Sequence, residues 1–389
     1  MSVITKDINK FNNVSKVDDS IKEKLVSVVA ENIVSTFAEH KLSYENIYNK
    51  LSKVKLYTAD MKSDSDSGIL DKYFPYTNTI YVNSDIFEKA ISDYNIENID
   101  IGLIHEFIHC LQVQRNKNEI TRIGMYDLSS KFGLGMNEAA TQYIASNVCG
   151  NYFSHVKYFN LDFLTISENY YPIETAIIYQ MSFFTGSFPL VSSALFGDSL
   201  FKNTFIEQTS KSTYDKLISS IDHIIGIQNQ LSHEYIFLAN SNLTEKNKIK
   251  KLNSIKENKE ALKKIILDIQ KTIYEESFNS MLKKVETLSD VRNMQIALAK
   301  FENLIIISED DYSYDQFKDL MMTKLKKRFA KIQKVGKYNF AKRSKVEVSM
   351  LPAVKKVSAF KMFLNKLKLL FELKTNYRKG YNSLIDNII

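Results

Sequence analysis

The stretch IGLIHEFIHCLQ, residues 101–112, sets two histidines and a glutamate into an otherwise apolar run. On a helix, His105 and His109 lie four apart and project one turn above the other, with Glu106 beside them. Ile101, Leu103, Ile104, Phe107, Ile108 and Leu111 make the rest of the cylinder apolar, so the spacing predicts a buried helix over 99–114. Burying an unpaired carboxylate and two imidazoles is costly. A divalent metal removes that cost: two neutral imidazole nitrogens become ligands and Glu106 faces water instead of hydrocarbon. The alternative is a core helix with two hydrogen-bonded histidines, which leaves Glu106 unexplained.

A catalytic metal site of this kind takes three protein ligands and keeps one position open. GLGMNEAATQYIAS, residues 133–146, follows downstream. Gly133 and Gly135 read as a flexible entry, Asn137 as a cap, and Glu138 as the start of a second helix over 137–148. Ala139 and Ala140 allow that helix to approach the first, which places Glu138 to complete a His-His-Glu set.

Other elements must hold these two helices. Residues 19–40 read as an amphipathic helix with Ser20 as cap and Glu23 completing a capping box. MKSDSDSG, 61–68, reads as a loop, and Thr79 to Val82 as a short strand between Asn78 and Asn83. After about residue 155 almost no strand signal remains. Residues 213–239 read as helix, and 245–287 as a long charged helix. In it Leu252, Ile255, Lys259, Leu262, Ile266, Ile269 and Ile273 form a seam suited to a helical hairpin. The uncharged window 176–196 holds Gln180, Gly186 and Pro189, so it predicts a buried, interrupted helix pair rather than a membrane span.

HEFIH followed, after 27 intervening residues, by NEAATQ resembles the gluzincin-type zinc metallopeptidases, the thermolysin-like clan. The resemblance covers about residues 78–148. It implies zinc held by His105, His109 and Glu138, water activated by Glu106, and hydrolysis of a peptide bond in a peptide or protein substrate. It also implies that the strand TIYV is the sheet edge along which the substrate extends. The fold class that follows is α+β, predominantly α. A zincin-like active-site subdomain with a small sheet occupies 1–155, a helical subdomain 156–323 and a basic helical tail 324–389. Two positions depart from the thermolysin branch. Where that branch has an aspartate to orient the first histidine, this chain has Gln142, a neutral and weaker acceptor. No motif supplies the group that stabilises the oxyanion; Tyr126, Tyr143, His155, His223 and His233 are the candidates, with His223 the more structural reading. Cys110 reads as a small buried hydrophobe. Glu174 reads either as a buried partner of a site residue or as a solvated helix-start acid.

The 389 residues carry a net charge of +7, but 324–379 alone carry +16, leaving the remainder at −9. Basicity therefore belongs to the tail. Within it AFKMFLNKLKLLFELK, 359–374, is an amphipathic basic helix that either packs on the domain or meets a membrane surface or acidic partner; no motif points to nucleic acid. The rival functional reading is a zinc-binding but non-catalytic scaffold whose tail makes the interaction. Two cysteines are too few for a disulfide framework, and the N-terminus lacks the apolar core of a signal peptide. Both features predict a cytoplasmic setting, with non-classical delivery open.

Overall fold

The structure, a computed structural model, describes residues 11–60, 71–85, 87, 100–117, 119–240, 244–308 and 311–347, with backbone alone for 240 and 335–347. Segments 61–68 and 359–374, singled out above, lie outside the described residues. The chain divides into two compact units, Met1–Ile332 and Gln333–Ile389. It is a mixed α+β protein, predominantly helical with small sheets. In the first unit one apolar cluster runs from Val17 to Leu325, so a single core lies on both sides of residue 155.

The elements follow in chain order as β1 (Asn12–Lys16), α1 (Asp19–Thr36), α2 (Tyr44–Leu51), β2 (Lys55–Asp60), β3 (Asp71–Phe74) and β4 (Thr79–Asn83). Next come α3 (Ile101–Gln112), β5 (Val113–Asn116), β6 (Glu119–Ile123), β7 (Tyr126–Asp127) and α4 (Leu134–Val148). Then follow β8 (Ser154–Tyr158), β9 (Leu161–Thr165), α5 (Pro172–Thr185), α6 (Ser187–Phe196) and α7 (Leu200–Gln208). The long helices α8 (Lys211–Asn240) and α9 (Glu245–Lys283) precede α10 (Leu288–Phe301), β10 (Ile307–Ser308) and α11 (Ser313–Glu347). Asp18, rather than Ser20, caps α1, accepting from the Ser20 N–H at 2.8 Å.

The sheet beside α3 has the order β1-β2-β4-β3, with β2 and β4 parallel and the outer pairs antiparallel. This corrects the expected substrate edge. Thr79–Asn83 is an interior strand, and among the described residues the edge on that side is β3, bonded to β4 alone. Burial agrees: Ile80 and Val82 enter the main core, while Tyr81 packs with Phe74 and Ala59 on the opposite face. A strand apolar on both faces belongs inside a sheet.

The region after 155 also holds more strand than its composition suggests. β8 and β9 form an antiparallel hairpin that β10 joins. Phe159 and Asn160 turn it with φ of 51° and 60°, the left-handed pair that suits the twist of a two-residue hairpin loop. Residues 176–196 fall in two helices, α5 and α6, broken at Gly186 where φ is 87°. No helix among the described residues is long and apolar enough to cross a membrane. In the α9 seam Ile255, Leu262, Ile266, Ile269 and Ile273 are buried. Lys259 is accommodated there because its ammonium lies over the rings of Phe159 and Tyr235, at 5.6 and 5.3 Å.

Candidate metal centre

α3 and α4 bring three buried donors together. Glu138 Oε2 lies 3.2 Å from His105 Nε2 and 3.5 Å from His109 Nε2, and one ligand atom from each residue fits within 4.8 Å of the others. α4 is set in place by its start and by contacts with α8. Gly133 takes φ 91° at the start of α4, and at Gly135 a β-carbon would sit 2.9 Å from Ile221 of α8. Asp222 of α8 accepts the Gly133 and Gly135 N–H groups at 2.8 and 2.7 Å, so a carboxylate from a distant helix caps α4. The glycines thus serve a turn and a helix contact rather than flexibility. Asn137 is not the cap. It is buried inside α4, where its side chain accepts from Met125 N–H at 2.9 Å and donates to Gln112 Oε1 at 3.1 Å.

Two glutamines orient the two histidines. Gln142 Oε1 lies 2.8 Å from His105 Nδ1, and Gln112 Oε1 lies 2.7 Å from His109 Nδ1. Their amide orientations follow from what lies beyond. Thr141 spends its only proton on the Asn137 carbonyl at 2.8 Å, so it accepts from Gln112 Nε2 at 2.7 Å. Ser167 spends its own on the Tyr170 carbonyl at 2.6 Å, so it accepts from Gln142 Nε2 at 3.0 Å. Each glutamine therefore presents its carbonyl to an imidazole, and each imidazole carries its proton on Nδ1. Both Nε2 atoms then turn lone pairs toward the Glu138 carboxylate. That set repels itself unless a cation, a proton or a metal, lies between, and two imidazole nitrogens with one carboxylate oxygen suit a divalent transition metal.

The electrostatics carry the same mark. Burial lowers the His109 imidazolium, but the Glu138 carboxylate outweighs it and brings His109 to about 9. Burial alone raises Glu138, yet His109 and His105 hold it well below the usual carboxylate range. Glu106 is pushed up, first by burial, with the imidazoles opposing. Its Oε2 accepts the Tyr73 N–H of β3 at 2.7 Å, tying it to the sheet edge.

The oxyanion candidates do not gather here. His155 is exposed and faces Asp162 at 3.2 Å, and His223 and His233 are exposed on α8, against the structural reading of His223. Tyr143 stacks on Tyr179 at 6.1 Å. Tyr171 stands beside the donors instead. Its ring stacks on His105 at 6.1 Å and 21°, and the Glu138 carboxylate, then burial, hold its phenol well above the ordinary value. The hydroxyl is therefore a donor. Tyr171 has φ 48°, a strained conformation for an aromatic residue of the kind found at functional sites. Glu174 is fully buried three residues on, and burial raises it to about 7, with the Gln228 side chain opposing. The solvated reading of Glu174 is thereby excluded. Cys110 is buried and its thiol is pushed up by burial to about 12.

Because Gln142 is neutral, Gln142→Asp is expected to make His105 a stronger electron donor and any metal held by this set a weaker Lewis acid. The acidic limb of the pH–rate profile should move to higher pH, and an unmoved limb contradicts this role. Comparison of the chain with protein-family models, curated proteins and solved structures yields no match.

Proposed function

We propose that the chain is a zinc-dependent peptidase of gluzincin type, in which His105, His109 and Glu138 hold the ion. The observation that carries this reading is the convergence of those three donors, both imidazoles turned Nε2-inward, with a second acid, Glu106, beside them. A purely structural site has no use for that acid. Zinc held there would supply a Lewis acid for a substrate carbonyl and bring the pKa of a coordinated water toward neutrality.

The remaining work falls to the chain. Among the described residues the outer side of β3 has no strand partner, and it would offer main-chain groups to an extended substrate. Glu106 takes a proton from the attacking water and delivers it to the leaving nitrogen as the C–N bond breaks. The Tyr73 N–H fixes one of its oxygens, which keeps the other directed at the reacting atoms. Tyr171 donates its hydroxyl to the developing oxyanion. Tyr171→Phe is accordingly expected to lower kcat by about 10²–10³-fold with KM little changed. Steady-state kinetics on one cleaved peptide decide it, and an unaltered kcat removes Tyr171 from this role.

Cys110 and Cys149 are both unpaired, which favours a reducing, cytoplasmic site of action. The direct test of the function is digestion of a peptide library by zinc-loaded protein, read by mass spectrometry. Cleavage should vanish on chelation and return with zinc. Library peptides left intact by fully loaded protein would overturn the reading.

A further inference from the structure

Tyr171 holds a backbone conformation that its own sequence opposes. It precedes Pro172, and a residue before proline is driven toward extended backbone. It is also bulky, and the left-handed region is costly for such a side chain. Yet its φ and ψ are 48° and 46°. A conformation of this kind persists only where the surroundings over-determine it. Here the end of β9 supplies two buried hydroxyls. Ser167 donates to the Tyr170 carbonyl at 2.6 Å, and Thr165 donates to the Pro172 carbonyl at 3.1 Å. The Ser167 N–H bonds back to Thr165 Oγ1 at 3.2 Å, which braces one hydroxyl against the other. Between them the Tyr171 carbonyl accepts the Thr175 N–H at 2.9 Å. The carbonyls of residues 170 to 172 are thereby fixed, and with them both peptide planes that flank Tyr171.

The same Ser167 oxygen also faces the histidine helix. It accepts from Gln142 Nε2 at 3.0 Å, and Gln142 Oε1 meets His105 Nδ1 at 2.8 Å. The other bond of that amide nitrogen, to Ser146, is longer at 3.3 Å. A single hydroxyl, on a residue only 1% exposed, therefore joins the amide that orients His105 to the peptide that sets Tyr171. The two ends of the link meet again where the Tyr171 ring stacks on His105. Thr165 and Ser167 lie outside residues 78–148, so the motif that pointed to the donors says nothing of this link.

We propose that Ser167 is a positioning residue for both halves of the site, tying the orientation of His105 to the placement of Tyr171 through one hydroxyl. The proposal deepens the peptidase reading, and its kinetic arm rests on that reading. Removing the hydroxyl leaves the Gln142 amide free to turn. It also releases the Tyr170 carbonyl, so the backbone at Tyr171 can relax toward the extended form that Pro172 favours. Both halves then loosen together.

Ser167→Ala in the full-length chain tests this. Zinc affinity, measured by competition with a chelator and without substrate, should fall about tenfold or more. In a Gln142→Ala background the same substitution should cost about twofold or less, because the amide it acts through is gone. The tyrosine ring NMR spectrum, with the Tyr171 signal assigned from Tyr171→Phe, should show that signal moved in Ser167→Ala. It should stay in place in Ser146→Ala, which removes the other bond of Gln142 and leaves the Tyr170 carbonyl held. On a cleaved peptide kcat should fall about 10–100-fold with KM little changed, and most of that loss should disappear in a Tyr171→Phe background. A side chain that only supports the fold would cost the same in every background. The proposal is overturned by a zinc affinity within about twofold of wild type, by an equal cost with and without Gln142, or by a Tyr171 signal that does not move. A kcat loss undiminished in Tyr171→Phe overturns it as well. If wild type cleaves no peptide, the peptidase reading falls, while the zinc affinities and the ring spectrum still decide this one.

Discussion

Glu106→Gln should lower peptide turnover by about 10³–10⁴-fold while the protein keeps its full complement of metal. The substitution preserves shape, and the amide oxygen can still accept the Tyr73 N–H that now meets Oε2 at 2.7 Å. On the proposed reading it removes the group that moves a proton between water and the leaving nitrogen. The proposed metal donors are other residues, so metal content is not expected to follow activity down. Single-turnover kinetics alongside metal analysis separate the two quantities. Turnover within a factor of ten of wild type contradicts the assignment, as does loss of metal in step with activity.

The second large effect concerns metal and pH together. His109 stands at about 9 in the folded chain against an ordinary 6.5 because of the Glu138 carboxylate, despite the opposing effect of burial. A base raised in this way stabilises the fold fully below its unfolded value and loses that contribution as pH rises through the folded one. Metal-free protein should therefore melt at progressively lower temperature from pH 6.5 to about 9. Metal acts in the opposite sense. Below about pH 9 it must expel the His109 proton, so its apparent affinity climbs with pH. Free metal at a thousandfold its Kd stabilises by about 4 kcal/mol. The gap between the two melting curves should widen steadily across this window. A metal-free curve flat from 6.5 to 9, or a gap that narrows, contradicts the pairing of His109 with Glu138.

The residues of the candidate site were legible because their types and intervals are local. His105, Glu106 and His109 share one helix, and Glu138 opens the next helical pattern. Gln142 was legible for the same reason, four residues beyond Glu138 on α4. What escaped notice was set by packing between distant elements. Gln112 looks like an ordinary polar residue at a helix end, yet it is fully buried and orients His109 through a chain that reaches Thr141 and Asn137. Tyr171 comes beside His105 only because α5 starts from a left-handed residue next to a segment held by Ser167. Strand order escaped too. The β-branched and aromatic run in Thr79–Asn83 reveals a strand but not its neighbours, and β3 follows a stretch whose composition suggests only a loop. The hairpin of β8 and β9 was missed because its turn, Phe159-Asn160, lacks the glycine that usually marks one.

The most direct measurement is X-ray absorption at the zinc edge on protein stripped and then reconstituted, together with its metal count. One zinc per chain is expected, scattering from two imidazoles at about 2.0–2.1 Å and a carboxylate oxygen at about 2.0–2.2 Å, with the imidazole signal halved in His109→Ala. A chain that retains no zinc, or a zinc whose surroundings are the same after His109→Ala, contradicts the account.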